Sequence, residues 1–194
     1  MRLRGLYAVT PEGPDLLDKV QRALEGGVAL LQYRRKQKAS RDEAQALLVL
    51  CRRYGVPFIV NDDVGLALEL GADGVHLGRD DGEFAAARAK LKGKLLGASC
   101  YDRLELARAA VAAGADYVAF GSVFSSPTKP AAVPAPLSLF GHRLGRPACA
   151  IGGVTLQNAP RAIAAGAELV AVISDLFDAA DIARQAAAYG KLFR

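Results

Sequence analysis

Eight short apolar runs recur along this chain, each separated from the next by a longer amphipathic stretch. They are GLYAVT (5–10), ALLQYRRK (29–36), PFIVND (57–62), GVHLGR (74–79), LLGASC (95–100), YVAFGSVF (117–124), PACAIGGV (147–154) and LVAVISD (169–175). Most are too short for a stable helix and rich in Val, Leu and Ile, so they read as strands. Strands alternating with helices fit either an open doubly wound sheet or a closed barrel. The count of eight favours the barrel, and no GxGxxG follows the first strand as a dinucleotide-binding open sheet would have it. The expected fold is α/β, a (β/α)₈ TIM barrel, with residues 1–194 forming a single domain. At 194 residues it is compact against the usual ~250, which leaves short loops and little room for a second domain.

The intervening stretches carry helical signals. In DLLDKVQRALEGG, Leu16, Leu17, Val20 and Leu24 are spaced to share one face. SRDEAQALLVLCRRYG opens with Ser40 and has Glu43 three residues later, a capping box, and Gly55 can take the left-handed position at its end. YDRLELARAAVAAGA and the Thr155-led TLQNAPRAIAAGA read the same way, and His142 falls in a polar helical stretch, LFGHRLG. A Gly-Ala-acid turn recurs at Gly71, Gly114 and Gly166, each time between a helix and a strand, as such turns do in α/β proteins generally. The longest irregular stretch, SSPTKPAAVPAP (125–136), follows the sixth strand; it reads as a lid or as a plain connector.

Composition narrows the function classes. The formal charge of +5 suits a soluble surface or attraction for anionic substrates. Lys and Arg are scattered rather than gathered in a tract, so no nucleic-acid partner is expected. Cys51, Cys100 and Cys149 are odd in number and far apart, with no CxxC spacing, which points to reduced core thiols rather than zinc or disulfides. The N-terminal residues lack an apolar signal region and no run approaches a membrane span, so the expected location is cytoplasmic with no membrane partner.

In a barrel of this class the chemistry sits at the C-terminal ends of the strands. The second strand ends in Gln32, Arg34 and Lys36, which share one face if the strand continues that far; alternatively it stops early and residues 34–38 form a solvated loop. Cations there suit a polyphosphate. Asn61, Asp62 and Asp63 end the third strand, and His76 to Asp81 end the fourth. Carboxylates on neighbouring strand ends suit Mg²⁺, but each acid also precedes a helix and can equally be its N-cap. The lone strand histidine His76 is read as structural and His142 as a surface residue; neither is given a catalytic role. Ile151, Gly152, Gly153 and Val154 end the seventh strand and Val172, Ile173, Ser174 and Asp175 end the eighth, the frequent phosphate site of such barrels.

These residues have a familiar order. QYRRK (32–36), IVND (59–62), GADGVHLGRDD (71–81), GAS (97–99), GADYVAFGSVFSSPTK (114–129), AIGGVT (150–155) and AVIS (171–174) resemble the motifs of the thiamine-phosphate synthase family across nearly the whole chain. The resemblance implies a Mg²⁺-dependent transferase of thiamine biosynthesis, usually a homo-oligomer. It would join a pyrimidine pyrophosphate to a thiazole phosphate and release pyrophosphate. Gln32, Arg34, Lys36 and Asn61 resemble the pyrimidine-pyrophosphate contacts, Ser99 a contact to the pyrimidine, and Lys129 a pyrophosphate contact. Asp62 and Asp81 resemble the metal ligands. Ser126, Pro127 and Thr128 resemble the thiazole-phosphate loop, with Gly153, Ile173 and Ser174 as the remaining thiazole-phosphate contacts. Of these, Arg34, Lys36, Ser99 and Lys129 are expected to act in catalysis. The chain departs from the family at Arg35, where Glu is usual, at Arg79, where Gln is usual, and at Ser126, where Thr is common. The alternative is a thiazole tautomerase-like paralogue, which would bind thiazole phosphate without coupling it. That relative is expected to carry a His on strand six, where this chain has Ser122.

Overall fold

All eight apolar runs form strands, and the eight strands close on one another in chain order. The computed structural model describes residues 3–35, 39–78, 81–125 and 134–194, with the side chains of 81–83 left out. The strands are β1 (Gly5–Val9), β2 (Leu30–Tyr33), β3 (Phe58–Asn61), β4 (Gly74–Leu77), β5 (Leu95–Tyr101), β6 (Tyr117–Gly121), β7 (Ala148–Ile151) and β8 (Leu169–Val172). Each pairs in parallel with its neighbours, and β8 pairs back onto β1 through Gly5–Leu169 to Ala8–Val172, so the (β/α)₈ barrel is complete. The helices are α1 (Leu16–Gly26), α2 (Arg41–Tyr54), α3 (Val64–Leu70), α4 (Asp81–Lys90), α5 (Leu104–Ala112), α6 (Ala159–Ala164), α7 (Ser174–Phe177) and α8 (Ile182–Lys191).

Two hydrophobic layers follow from the strand period of two. Outward residues such as Leu31, Val60, Val75, Leu96, Val118 and Val170 pack under the helices. Inward residues, among them Tyr7, Val9, Leu30, Ile59, Tyr117, Cys149 and Leu169, fill the barrel. The three cysteines are buried and free: Cys149 lies in the barrel interior, Cys51 and Cys100 in the outer layer. Among the described residues no helix is long and apolar enough to cross a membrane.

Several local expectations need correction. Leu17 is 45% exposed, and the buried face of α1 is Leu16, Val20, Ala23 and Leu24; a step of 100° per residue carries Leu17 off the stripe that its neighbour anchors. The capping box of α2 is only half made. The Ser40 hydroxyl accepts from the Glu43 N–H at 3.4 Å, but the Ser40 N–H donates to the Tyr33 hydroxyl at 3.0 Å. The Glu43 carboxylate is taken by Arg35, at 2.8 and 2.6 Å, and by the Tyr33 hydroxyl at 2.9 Å. The stretch around His142 forms a 3₁₀ helix (Leu137–Gly141), and His142 itself is exposed. The Thr155-led helix starts late, at Ala159, because Thr155 and Asn158 bond each other's backbone N–H groups in a turn before it. The described helices therefore reach eight only because α7 and α8 both follow β8.

The recurring Gly-Ala-acid turn has a function in the barrel that the sequence reading did not give it. Its glycines sit at positive φ, 68° for Gly71 and 96° for Gly114, and turn each helix back toward the barrel. In the first two of these turns the acid then accepts a backbone N–H from the start of the preceding strand. Asp73 holds Phe58 N and Asp116 holds Leu96 N, both at 2.9 Å. These two turns thus pin the entry of one strand to the start of the next.

Arg35 stands on the outer side of the barrel, ion-paired with Glu43, so the departure from the family's Glu at this position has a structural partner. The guanidinium bonds hold the Glu43 carboxyl below its ordinary value of 4.5. The folded state then binds fewer protons than the unfolded chain at low pH, so this stabilisation is complete above about pH 4.5 and is lost as the pH falls through the lowered value. Glu43→Gln should cost about 1–2 kcal/mol at neutral pH. Urea unfolding at pH 7 and pH 3 should show the gap to the parent protein narrowing at the lower pH; an equal gap at both would show that the charge contributes nothing.

Candidate active site

The C-terminal rim of the barrel gathers most of the described candidate residues. β2 ends at Tyr33, so Gln32 belongs to the strand and Arg34 to the loop beyond it, as in the early-stop alternative. Gln32 points inward and is 3% exposed. Arg34 leaves the ladder because its N–H donates to the Thr10 hydroxyl at 2.9 Å, and that hydroxyl donates to the Arg34 carbonyl at 3.1 Å. The buried Thr10 therefore anchors the Arg34 backbone while its side chain stays exposed at the rim. Lys36, Ser126, Pro127, Thr128 and Lys129 lie outside the described residues, as does Arg79; Asp81 is described only as the first residue of α4.

At the end of β3 the two adjacent acids divide their work. Asp63 is the N-cap of α3, its carboxylate accepting the Leu66 N–H at 2.8 Å. Asp62 does no capping. Its backbone is left-handed, φ 61°, and its N–H donates to the His76 carbonyl at 2.9 Å, which turns the exposed carboxylate away from the strand. The Asn61 amide donates to Asp62 Oδ2 at 2.6 Å. Among the described residues no cluster of three or more His, Cys, Asp or Glu could hold a metal. An exposed carboxylate is nonetheless the kind of ligand Mg²⁺ takes when substrate phosphates and water complete its shell. Asp62 fits that role, with Asp81 as the second candidate.

On the opposite arc, Gly152 and Gly153 have φ of 92° and 64°. A Cβ on Gly153 would lie 2.5 Å from the Phe124 carbonyl oxygen, and one on Gly152 would collide with Ser122. Only glycine lets the end of β7 run this close to the loop after β6. Asp175 then joins the β7 and β8 ends: its Oδ2 accepts from Leu156 N at 3.1 Å, Gln185 Nε2 at 2.7 Å and the Tyr189 hydroxyl at 2.7 Å. That brace, not anticipated from the sequence, ties the turn after Gly153 to the segment that carries Ile173 and the exposed Ser174. An acid directly after a strand end, with a Gln and a Tyr on the last helix, was its only trace in the sequence.

Below the rim, a chain of polar side chains crosses the apolar interior. Gln32 Nε2 donates to the Tyr7 hydroxyl at 2.7 Å, which meets the Tyr117 hydroxyl at 2.7 Å. Tyr117 meets His76 Nδ1 at 3.1 Å, and His76 Nε2 meets Ser99 Oγ at 2.9 Å. Burial alone pushes the His76 imidazole down to about 4, so it is neutral at physiological pH. Burial likewise raises both tyrosines, which remain protonated. His76 is thus structural, as expected, yet it touches a candidate substrate-binding residue. Tyr7 and Tyr117 were missed because an inward tyrosine reads as core filling.

A closed parallel barrel with its polar groups converging on the C-terminal rim defines a (β/α)₈-barrel enzyme. The chain belongs to the thiamine monophosphate synthase family, whose model matches residues 6–176. It is 57% identical to the thiamine-phosphate synthase of Aromatoleum aromaticum over 99% of this chain and 97% of that protein. It is 58% identical to the thiamine-phosphate synthase of Chromobacterium violaceum, with the same coverage. Among solved structures, the thiamine phosphate pyrophosphorylase of Pyrococcus furiosus superimposes with a TM-score of 0.88 at 32% identity, covering 99% of this chain and 96% of that one. These relatives are synthases, and the tautomerase-like alternative is not favoured.

Proposed function

We propose that this chain condenses 4-amino-2-methyl-5-(diphosphooxymethyl)pyrimidine with 4-methyl-5-(2-phosphooxyethyl)thiazole, giving thiamine phosphate and pyrophosphate. The observation that carries this reading is the division at β3: Asp63 caps the helix, and the Asp62 carboxylate, bonded among the described residues only by its neighbour Asn61, stands exposed at the rim that also bears Arg34. Bound between Asp62 and Asp81, Mg²⁺ would supply charge stabilisation to the departing pyrophosphate. Arg34 and Asn61, with Lys36 and Lys129, bind the same leaving group. Departure leaves a cation on the exocyclic methylene, which the electron-rich aminopyrimidine ring delocalises. Ser99 and Gln32 hold that ring. Gly153, Ile173 and Ser174, with Ser126 to Thr128, hold the thiazole phosphate so that the ring nitrogen faces the cation, and positioning supplies much of the remaining rate. The scheme needs no general base, in keeping with a buried, neutral His76 and an exposed His142.

Incubating the protein with both substrates and Mg²⁺ should yield thiamine phosphate and pyrophosphate in equal amounts, and chelation should stop the reaction. Turnover of neither substrate would refute the reading; full turnover after chelation would refute the metal assignment.

A further inference from the structure

The polar chain through the barrel has a direction. Its Gln32 end is an amide N–H₂ group, which can only donate. Tyr7 accepts that proton and so directs its own hydroxyl hydrogen to Tyr117. Tyr117, already accepting, gives its hydrogen to His76 Nδ1. A neutral imidazole that accepts at Nδ1 carries its proton at Nε2, and this proton goes to Ser99 Oγ. The Ser99 hydroxyl hydrogen is then the one member of the series not committed to the chain. The links from Gln32 to His76 are buried, where a mismatched donor or acceptor is costly, so reversing one of them requires reversing all. The packing holds the links in place: Tyr7 and Tyr117 meet edge to face at 5.7 Å between ring centroids, and His76 lies 5.6 Å from Tyr117.

From this geometry we infer that Tyr7, Tyr117 and His76 form a one-way hydrogen-bond relay that makes Ser99 an obligate donor at the barrel mouth, selecting a heteroaromatic ring that presents a bare, lone-pair nitrogen. This rests on the reading of Ser99 as a pyrimidine contact. An aminopyrimidine offers such a nitrogen beside its amino group. The corresponding hydroxypyrimidine, in its lactam form, presents an N–H there and confronts Ser99 with a second donor. Sites built on directed hydrogen bonds reject mismatched analogues strongly, because a buried polar group is left unpaired. Tyr7, Tyr117 and His76 are positioning residues: they act on the ring only through Ser99.

Two measurements test this. In ¹⁵N-labelled protein carrying His142→Gln, His76 is the remaining histidine. Long-range proton–nitrogen correlation should find its proton on Nε2; a proton on Nδ1 overturns the relay, and this arm needs no substrate. The second arm compares kcat/KM for the amino- and hydroxypyrimidine diphosphates. The parent protein should prefer the amino form at least about a hundredfold, and Tyr117→Phe should shrink that preference at least about tenfold. Tyr7→Phe, which interrupts the chain one link earlier, provides the same reading if Tyr117→Phe does not fold. An unchanged preference in a folded variant overturns the inference. If the parent turns over neither diphosphate, the functional reading fails, and the proton position still decides the relay.

Discussion

Asp62→Asn is expected to lower turnover about 10²–10³-fold, by analogy with the loss of one preorganised group that stabilises developing charge, and to leave thermal stability nearly unchanged. Asparagine keeps the size of the side chain and still accepts from the Asn61 amide, and it tolerates the left-handed φ of 61° found at this position. What it removes is the negative charge. Asp63→Ala should show the opposite signature. It deletes the cap on Leu66 N–H and should cost about 1 kcal/mol of stability, with turnover nearly retained. Steady-state assays and thermal melts of the two variants separate the roles. If the neighbours behaved alike, or if Asp63→Ala were the inactive one, the division of labour at this strand end would be wrong.

That division was not legible in the sequence, for a simple reason. Two adjacent acids before a helix are equivalent in spacing; only the backbone turn at Asp62 decides which one faces the helix N–H groups. The same limit explains β2. The run QYRRK is compatible with a longer strand, and the stop after Tyr33 comes from Thr10, 24 residues away, which takes the Arg34 N–H out of the ladder. The strands themselves were readable because the barrel core demands apolar residues on both faces at eight places, and short runs of Val, Leu and Ile have few other uses. The rim was readable for the complementary reason: Arg34, Asn61, Asp62 and Ser99 are polar residues where those apolar runs end. The interior relay was hidden because its members are 110 residues apart at the Tyr7–Tyr117 link and 41 at Tyr117–His76. No local pattern marks a tyrosine whose hydroxyl must find a partner across a barrel.

Gly97 is where the relay and the fold meet, and Gly97→Ala should be among the most destabilising single-methyl additions in this chain. Gly97 is an inward position of β5, between Leu95 and Ser99. A Cβ there would lie 2.1 Å from Tyr117 Cζ, 2.4 Å from its hydroxyl oxygen and 2.6 Å from His76 Nδ1. Neither ring has room to yield. Tyr117 is fully buried and packed on Tyr7, and His76 is 6% exposed and tied to Ser99. Overpacking of this kind costs about 1–3 kcal/mol, and the enforced break between Tyr117 and His76 adds an unsatisfied buried group worth about 1–3 kcal/mol more. For a chain of this size about 3 kcal/mol corresponds to a fall in Tm of roughly 6–12 °C. Because the added methyl meets the ring carbon as well as the hydroxyl, Tyr117→Phe should not rescue the variant, whereas Tyr117→Leu should recover part of the loss by vacating the ring's volume. A melting temperature unchanged by Gly97→Ala would mean that the interior is looser than its contacts indicate, and the hydrogen-bond chain could then not hold a fixed direction.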